Sequence, residues 1–133
     1  MILVDSNVLL DLVTDDPDWS EWSIAQLEAA ALSGPVLIND VVYAEISIRY
    51  QRIEDVDDML AQAGIDLAVI PRAALFLAGK VFHQYRRRGG RRSGVLPDFF
   101  IGAHASAAGW RLLTRDVGRY RSYFPRLELI SPA

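Results

Sequence analysis

The sequence predicts an α/β fold in which helices cover both faces of a mostly parallel sheet. Three observations predict it. Short apolar runs alternate with segments of helical periodicity, helix start signals follow those runs, and no repeat, linker or low-complexity tract interrupts the 133 residues. The first run is Ile2-Leu3-Val4, followed by Val36-Leu37-Ile38, Leu67-Ala68-Val69-Ile70, Leu112-Leu113 and Leu127 to Ile130. Each has the length and apolar content of a strand buried on both sides. After the first run, Asp18 with Glu21 three residues on has the form of a capping box, and it opens a helix whose inward arc is Ile24, Leu27 and Ala31, with Trp22 turned away. Asn39 is placed to cap the helix after the second run. Pro71 and Pro97 suit the first turns of two later helices, the former of which Gly89 can end.

Composition narrows the class further. With 51% hydrophobic and 23% charged residues the chain is globular, and at this length one domain spanning 1–133 can bury a sufficient core. The absence of cysteine excludes a disulfide scaffold, a thiolate zinc site, an iron–sulfur cluster and a cysteine nucleophile, and fits a reducing compartment. With no basic leader and no long apolar stretch, the expected location is the cytoplasm, without a membrane. The net charge of −3 conceals an asymmetry. Residues 1–66 hold 14 acids and 2 bases, whereas residues 67–133 hold 3 acids and 12 bases. Such a division suits a cation site adjoining a surface for a polyanion, unless folding interleaves the two halves.

Open parallel sheets bind ligands beyond the carboxyl ends of their strands, where the strand order reverses. Acids stand at such places: Asp5 directly after the first run, Asp116 after the fourth, and Asp98 at the start of a helix. Each alone is explained as a helix cap. Glu45 is harder to explain so. On the helical wheel it falls among Val41, Val42 and Ile48, where a carboxylate loses hydration and must be paired, protonated or bound to a cation. Arg49, four residues on, offers a structural partner, but an i,i+4 pair contributes only ~0.3–0.5 kcal/mol. If the four acids converge, repulsion of ~4 kcal/mol per pair at about 4 Å and an effective dielectric near 20 requires protons or metal. Their hard oxygen donors select Mg²⁺ or Mn²⁺, whose shell a substrate phosphate commonly completes. Phosphodiester hydrolysis is the natural reaction.

The segments "DSNVLLDL", the helical Glu45, "LPDFFIGAHA" and "LLTRDVGRYRSYFPRLELISP" together resemble a PIN-domain ribonuclease, specifically a VapC-type toxin of a prokaryotic toxin–antitoxin pair. The resemblance spans the whole chain. It implies a three-layer α/β/α fold, related in plan to Rossmann-like sheets, and a Mg²⁺- or Mn²⁺-dependent endoribonuclease. It also implies a homodimer that is inhibited by a small cognate antitoxin, usually also a DNA-binding protein, in a heterotetramer or larger assembly. By position Asp5, Glu45, Asp98 and Asp116 match the family's four acids, and Asn7 and Thr114 its supporting polar residues. The resemblance then makes Asp5, Asp98 and Asp116 metal ligands. It leaves Glu45 either as a ligand or as the residue that orients the attacking water, with a 5′-phosphate on the product. Some relatives carry a further acid shortly after the fourth, where this chain has Val117, Gly118 and Arg119. An inhibitory partner is expected to insert a basic side chain among the acids.

Arg86, Arg87, Arg88, Arg91 and Arg92 concentrate positive charge shortly before Asp98 and are expected to track an RNA backbone, although the first of them also suit a helix C-terminus. Trp22, Tyr43, Ile46 and Tyr50 are candidates for a partner interface. Packing within the same domain is the other reading for the tyrosines. His104 lies on a helix apolar almost all round and reads as a buried, hydrogen-bonded residue, and His83 as solvated. A haloacid-dehalogenase-like phosphatase needs an Asp where Asn7 stands. A response-regulator receiver needs its phosphoacceptor Asp near Pro71, and glycine-rich phosphate loops are absent. The alternative function is a catalytically weak PIN-like module that binds RNA or protein.

Overall fold

The computed structural model describes residues 1–91 and 96–132. Among them the chain forms β1 (Ile2–Val4), α1 (Ser6–Val13), α2 (Ser20–Ser33), β2 (Val36–Asn39), α3 (Asp40–Ser47), α4 (Ile53–Ala63), β3 (Ile65–Ala68), α5 (Arg72–Arg87), α6 (Leu96–Ala108), β4 (Arg111–Leu113), α7 (Gly118–Tyr123) and β5 (Leu129–Ile130). The strands make one sheet in the order β3-β2-β1-β4-β5, and every pairing is parallel. Right-handed crossovers then place α1–α4 on one face and α5–α7 on the other, the three-layer α/β/α arrangement expected from the sequence. No helix among the described residues is long and apolar enough to cross a membrane.

The three central strands are buried almost throughout, as the apolar runs require, and the edge strands are half exposed. The chain moves outward from β1 through β2 to β3, then returns to lay β4 on the other side of β1. That reversal puts the switch point between β1 and β4. Beyond these two strands the ladder continues for one residue each. Asp5 N donates to Leu113 O at 2.9 Å and Thr114 N to Ile130 O at 3.0 Å, so both residues leave the sheet with fixed backbones.

Three local expectations are corrected. The third strand covers Ile65–Ala68 rather than residues 67–70, because Gly64, in the left-handed conformation at φ 69°, ends α4 and the strand starts at once. At this edge Leu67 and Val69 face solvent, so apolarity does not mark the strand's limits. Asp18 is not the cap of α2. Instead Asp16 Oδ1 accepts from the backbone N–H groups of Asp18 and Trp19, both at 2.9 Å. The helix is also rotated relative to the apolar arc. Ser23 and Ala30 are buried, while Ile24 and Ala31 are exposed and Trp22 packs on the core, edge-on to Trp19. Ser23 faces inward because its hydroxyl donates to the buried Asp11 carboxylate at 2.8 Å, a reason no hydrophobicity wheel contains.

Asn39 caps α3 as expected, accepting from Val42 N at 3.0 Å. Its amide then donates to His104 Nδ1 at 3.2 Å across the interface with α6, so the histidine is buried and hydrogen-bonded. Burial pushes its pKa below the ordinary value, which keeps Nδ1 an acceptor. On the other face, α6 approaches α7 so closely that Gly102 is required. A Cβ there would stand 2.5 Å from the Phe124 ring and 3.1 Å from that of Tyr120. Gly102→Ala is expected to lower stability by about 1–3 kcal/mol through overpacking. Gly79→Ala, inside α5 with open space around it, should raise stability by up to ~1 kcal/mol. Thermal unfolding of both variants checks the pair.

Candidate active site

Asp5 is the centre of the site. It follows β1 directly, is almost fully buried, and serves as the cap of α1 by accepting from Ser6 N at 2.8 Å through Oδ1. Its other oxygen, Oδ2, accepts from Thr114 Oγ1 at 2.8 Å, the Tyr120 hydroxyl at 2.9 Å and, more distantly, Asn7 Nδ2 at 3.5 Å. Capping α1 thus engages Oδ1, while Oδ2 faces Thr114, Tyr120 and Asn7. Thr114, wholly buried after β4, also accepts from Asp116 N at 3.1 Å and thereby sets the turn that carries the fourth acid. Asn7 Oδ1 accepts from Arg115 N at 3.3 Å, tying α1 to the same turn.

Glu45 reaches this centre from α3. Its Oε1 accepts from Ser6 Oγ at 3.0 Å, so one serine links the first two acids. The half-buried position predicted on the wheel is present, but its surroundings differ: Ile48 is exposed, and Arg49 lies past the end of α3 and forms no ion pair with Glu45. Asp98 comes from the first turn of α6 and is paired with Arg119 Nη1 of α7. Asp116 precedes α7 and accepts from Gly118 N at 3.3 Å.

Three of the acids have their pKa raised by burial and by neighbouring carboxylates. Burial pushes Asp5 from 3.8 up to about 6, against the hydrogen bonds from Thr114 and Tyr120, and the Asp98 and Glu45 charges add to the rise. Glu45 is raised by its own burial and by Asp98. Asp98 is raised by burial and Asp116 in spite of Arg119. The Tyr120 hydroxyl, buried beside these carboxylates, has its ionisation pushed well up and stays a proton donor. Negative charge from β1, α3, α6 and the turn after β4 is thus gathered at the switch point.

Ser6, Tyr120, Arg119 and Asp11 are site residues that sequence reasoning missed. Asp11 is buried and forms a two-pronged pair with Arg115, at 2.7 and 2.9 Å, with the guanidinium lying over the Trp19 ring. This pair fixes the turn between Thr114 and Asp116 against α1 and α2. An acid four residues after Asn7 on the same face of α1 was its available signal. Tyr120 had none, since a tyrosine between two arginines carries no mark in the sequence of which way it faces.

The other candidates do not join the acids. Ile46 is fully buried and belongs to the core, so it is removed from the interface set. Trp22 is likewise half-buried against the core rather than turned away. Tyr43 and Tyr50 line a recess of about 210 Å³ with Ile53 and Val56, and Tyr43 donates to Asp57 at 2.8 Å, which is packing between α3 and α4 of this chain. Arg86, Arg87, Arg88 and Arg91 are exposed around the end of α5. Arg86 donates to Gly90 O at 3.0 Å and Arg88 lies over Tyr123. Arg92 lies outside the described residues.

Fold and site together define an α/β protein with a cluster of acids at the carboxyl edge of a parallel sheet. Residues 2–124 match the PIN domain family, to which the chain belongs. No curated protein sequence matches it. Among solved structures it is similar to a chain of VapBC2 from Rickettsia felis, a complex bound to a DNA fragment from its promoter, with TM-score 0.76 and 19% identity over all of both chains. It is similar also to a chain of VapBC-1 from nontypeable Haemophilus influenzae, with TM-score 0.70 and 18% identity over 98% of each. A toxin–antitoxin complex from Klebsiella pneumoniae gives TM-score 0.69 and 19% identity over 100% of this chain and 98% of that one.

The raised carboxyl groups predict how stability of the metal-free protein depends on pH. Folded Asp5 holds its proton more tightly than the unfolded chain does. Stability is therefore greatest while both states are protonated and falls as pH climbs through about 4 to about 6. The loss attributable to Asp5 is about 3 kcal/mol. Urea unfolding in chelator across this range should show the fall, and Asp5→Asn should flatten it.

Proposed function

We propose that this protein is a Mg²⁺- or Mn²⁺-dependent endoribonuclease of the VapC toxin type, acting in the cytoplasm and neutralised by a small cognate antitoxin. The observation that carries the proposal is the electrostatic effect of Asp98 on Asp5 and Glu45, and of Asp116 on Asp98, at the β1–β4 switch point, within a PIN domain. A pocket of oxygen donors with uncompensated negative charge fits a hard divalent cation. Among the described residues no three carboxylate or histidine side chains already stand in a ligating arrangement, and Asp98 is engaged by Arg119. Binding therefore requires Asp98 to turn from that pair.

Asp5, Asp98 and Asp116 are the proposed ligands. The ion would supply a water of lowered pKa and charge to offset that developing on the phosphate. The chain's own residues do the positioning. Thr114, Tyr120 and Ser6 hold Asp5 in one rotamer, and Ser6 holds Glu45 where its carboxylate can orient or deprotonate water. The exposed arginines at the end of α5 offer contacts for an RNA backbone that runs towards Asp98. The similarity to a chain of a toxin–antitoxin complex supports a protein partner, expected to place a basic side chain among the acids; a homodimer, or a heterotetramer or larger with that partner, is the assembly proposed.

The engaged state of Asp98 favours a second reading, a PIN-like module that binds RNA or protein without cutting it. Metal-dependent RNA cleavage decides between them. With Mg²⁺ or Mn²⁺ the wild type should cleave RNA, leaving 5′-phosphates. Asp98→Asn should reduce the rate by more than roughly 100-fold with an unchanged melting temperature. Equal cleavage by the variant defeats the assignment, and no cleavage by either protein favours the binding module.

A further inference from the structure

The short helix α7 delivers two consecutive side chains to the acidic pocket. The Tyr120 hydroxyl reaches Asp5 and the Arg119 guanidinium reaches Asp98, so the helix straddles the two acids. Phe124, seated against Gly102, sets its distance from α6. The two contacts differ in kind. Tyr120 is buried and its hydroxyl cannot leave without a cost in packing, whereas the Asp98 and Arg119 side chains keep 24% and 31% of their exposure. Water reaches that ion pair, so it is weakly held. Among the described residues the Arg119 charge is paired with Asp98, and no ion pair reaches Asp5, Glu45 or Asp116. Arg119 is part-exposed beside Asp98, and a guanidinium carries a planar fork of donors matched to phosphate oxygens.

We propose that Arg119 is an exchangeable internal cation: it holds Asp98 while the divalent site is empty, gives up that carboxylate when the ion binds, and then receives the phosphate of the substrate. The inference rests on the metal-dependent reading of the site. It makes Arg119 a substrate-contacting residue whose removal moves two affinities in opposite directions. A residue that only stabilised α7 would weaken both.

The test is calorimetric titration of Mn²⁺ into wild type, Arg119→Gln and Asp98→Asn, followed by titration of uridine 5′-monophosphate into the Mn²⁺-loaded proteins. Arg119→Gln should bind Mn²⁺ roughly fivefold more tightly, since an exposed competing pair has been removed. Its affinity for the nucleotide should fall by about tenfold. Equal or weaker Mn²⁺ binding overturns the exchange, and unchanged nucleotide affinity overturns the phosphate role. Mn²⁺ binding by the wild type that Asp98→Asn abolishes keeps the metal reading standing even where the Arg119 claim fails. Absence of Mn²⁺ binding by the wild type overturns both. Should Arg119→Gln unfold, Arg119→Met, which keeps an aliphatic stem but removes the charge, carries the same comparison, with tighter Mn²⁺ binding and weaker nucleotide binding expected.

Discussion

A carboxylate buried at the end of the central strand is the constraint from which the rest of the structure follows. Asp5 has almost no access to water and so depends on donors supplied by the fold. Those donors come from four places: the first turn of α1, the Asn7 side chain, Thr114 after β4, and Tyr120 of α7. Each requires its element to stand in one position. The need to satisfy one oxygen pair thus couples β1 to β4 and to a helix more than a hundred residues away in the chain. Even so, the donors do not fully offset burial, as the raised pKa of Asp5 shows.

Around that centre the molecule divides its labour between apolar and polar contacts. Aromatic rings of Tyr85, Phe99 and Tyr123 meet edge to face and bind α5, α6 and the end of α7 into one layer. This layer sets where Asp98, Arg119 and Tyr120 stand. On the other face, the Asp11–Arg115 pair and Ser23 hold the turn after β4 to α1 and α2. A buried ion pair is a poor source of net stability. Its effect here is geometric, since Arg115 lies between Thr114 and Asp116 and cannot move without shifting both.

Family membership and fold limit what chemistry is plausible without specifying it. The acids at the switch point concentrate negative charge, and Arg119 sets one positive charge against it at Asp98. The basic segment at the end of α5 extends this charge outward over the surface.

Central strands were legible in the sequence because a strand covered on both faces must be continuously apolar, as in Ile2–Val4 and Val36–Ile38. The edge strand β3 was misplaced by two residues, since an edge does not impose that pattern. Asp5, Glu45, Asp98 and Asp116 were singled out by residue type and place relative to the strands, whereas Asn7 and Thr114 entered only through the resemblance to the family. What only the tertiary structure decided is which partners each acid has. Glu45 is held by Ser6 rather than Arg49, Asp98 faces Arg119, and Ser23 turns inward to Asp11. Periodicity reports which face of an element avoids water. It is silent on polar side chains that are buried because a distant chain segment supplies the matching hydrogen bond.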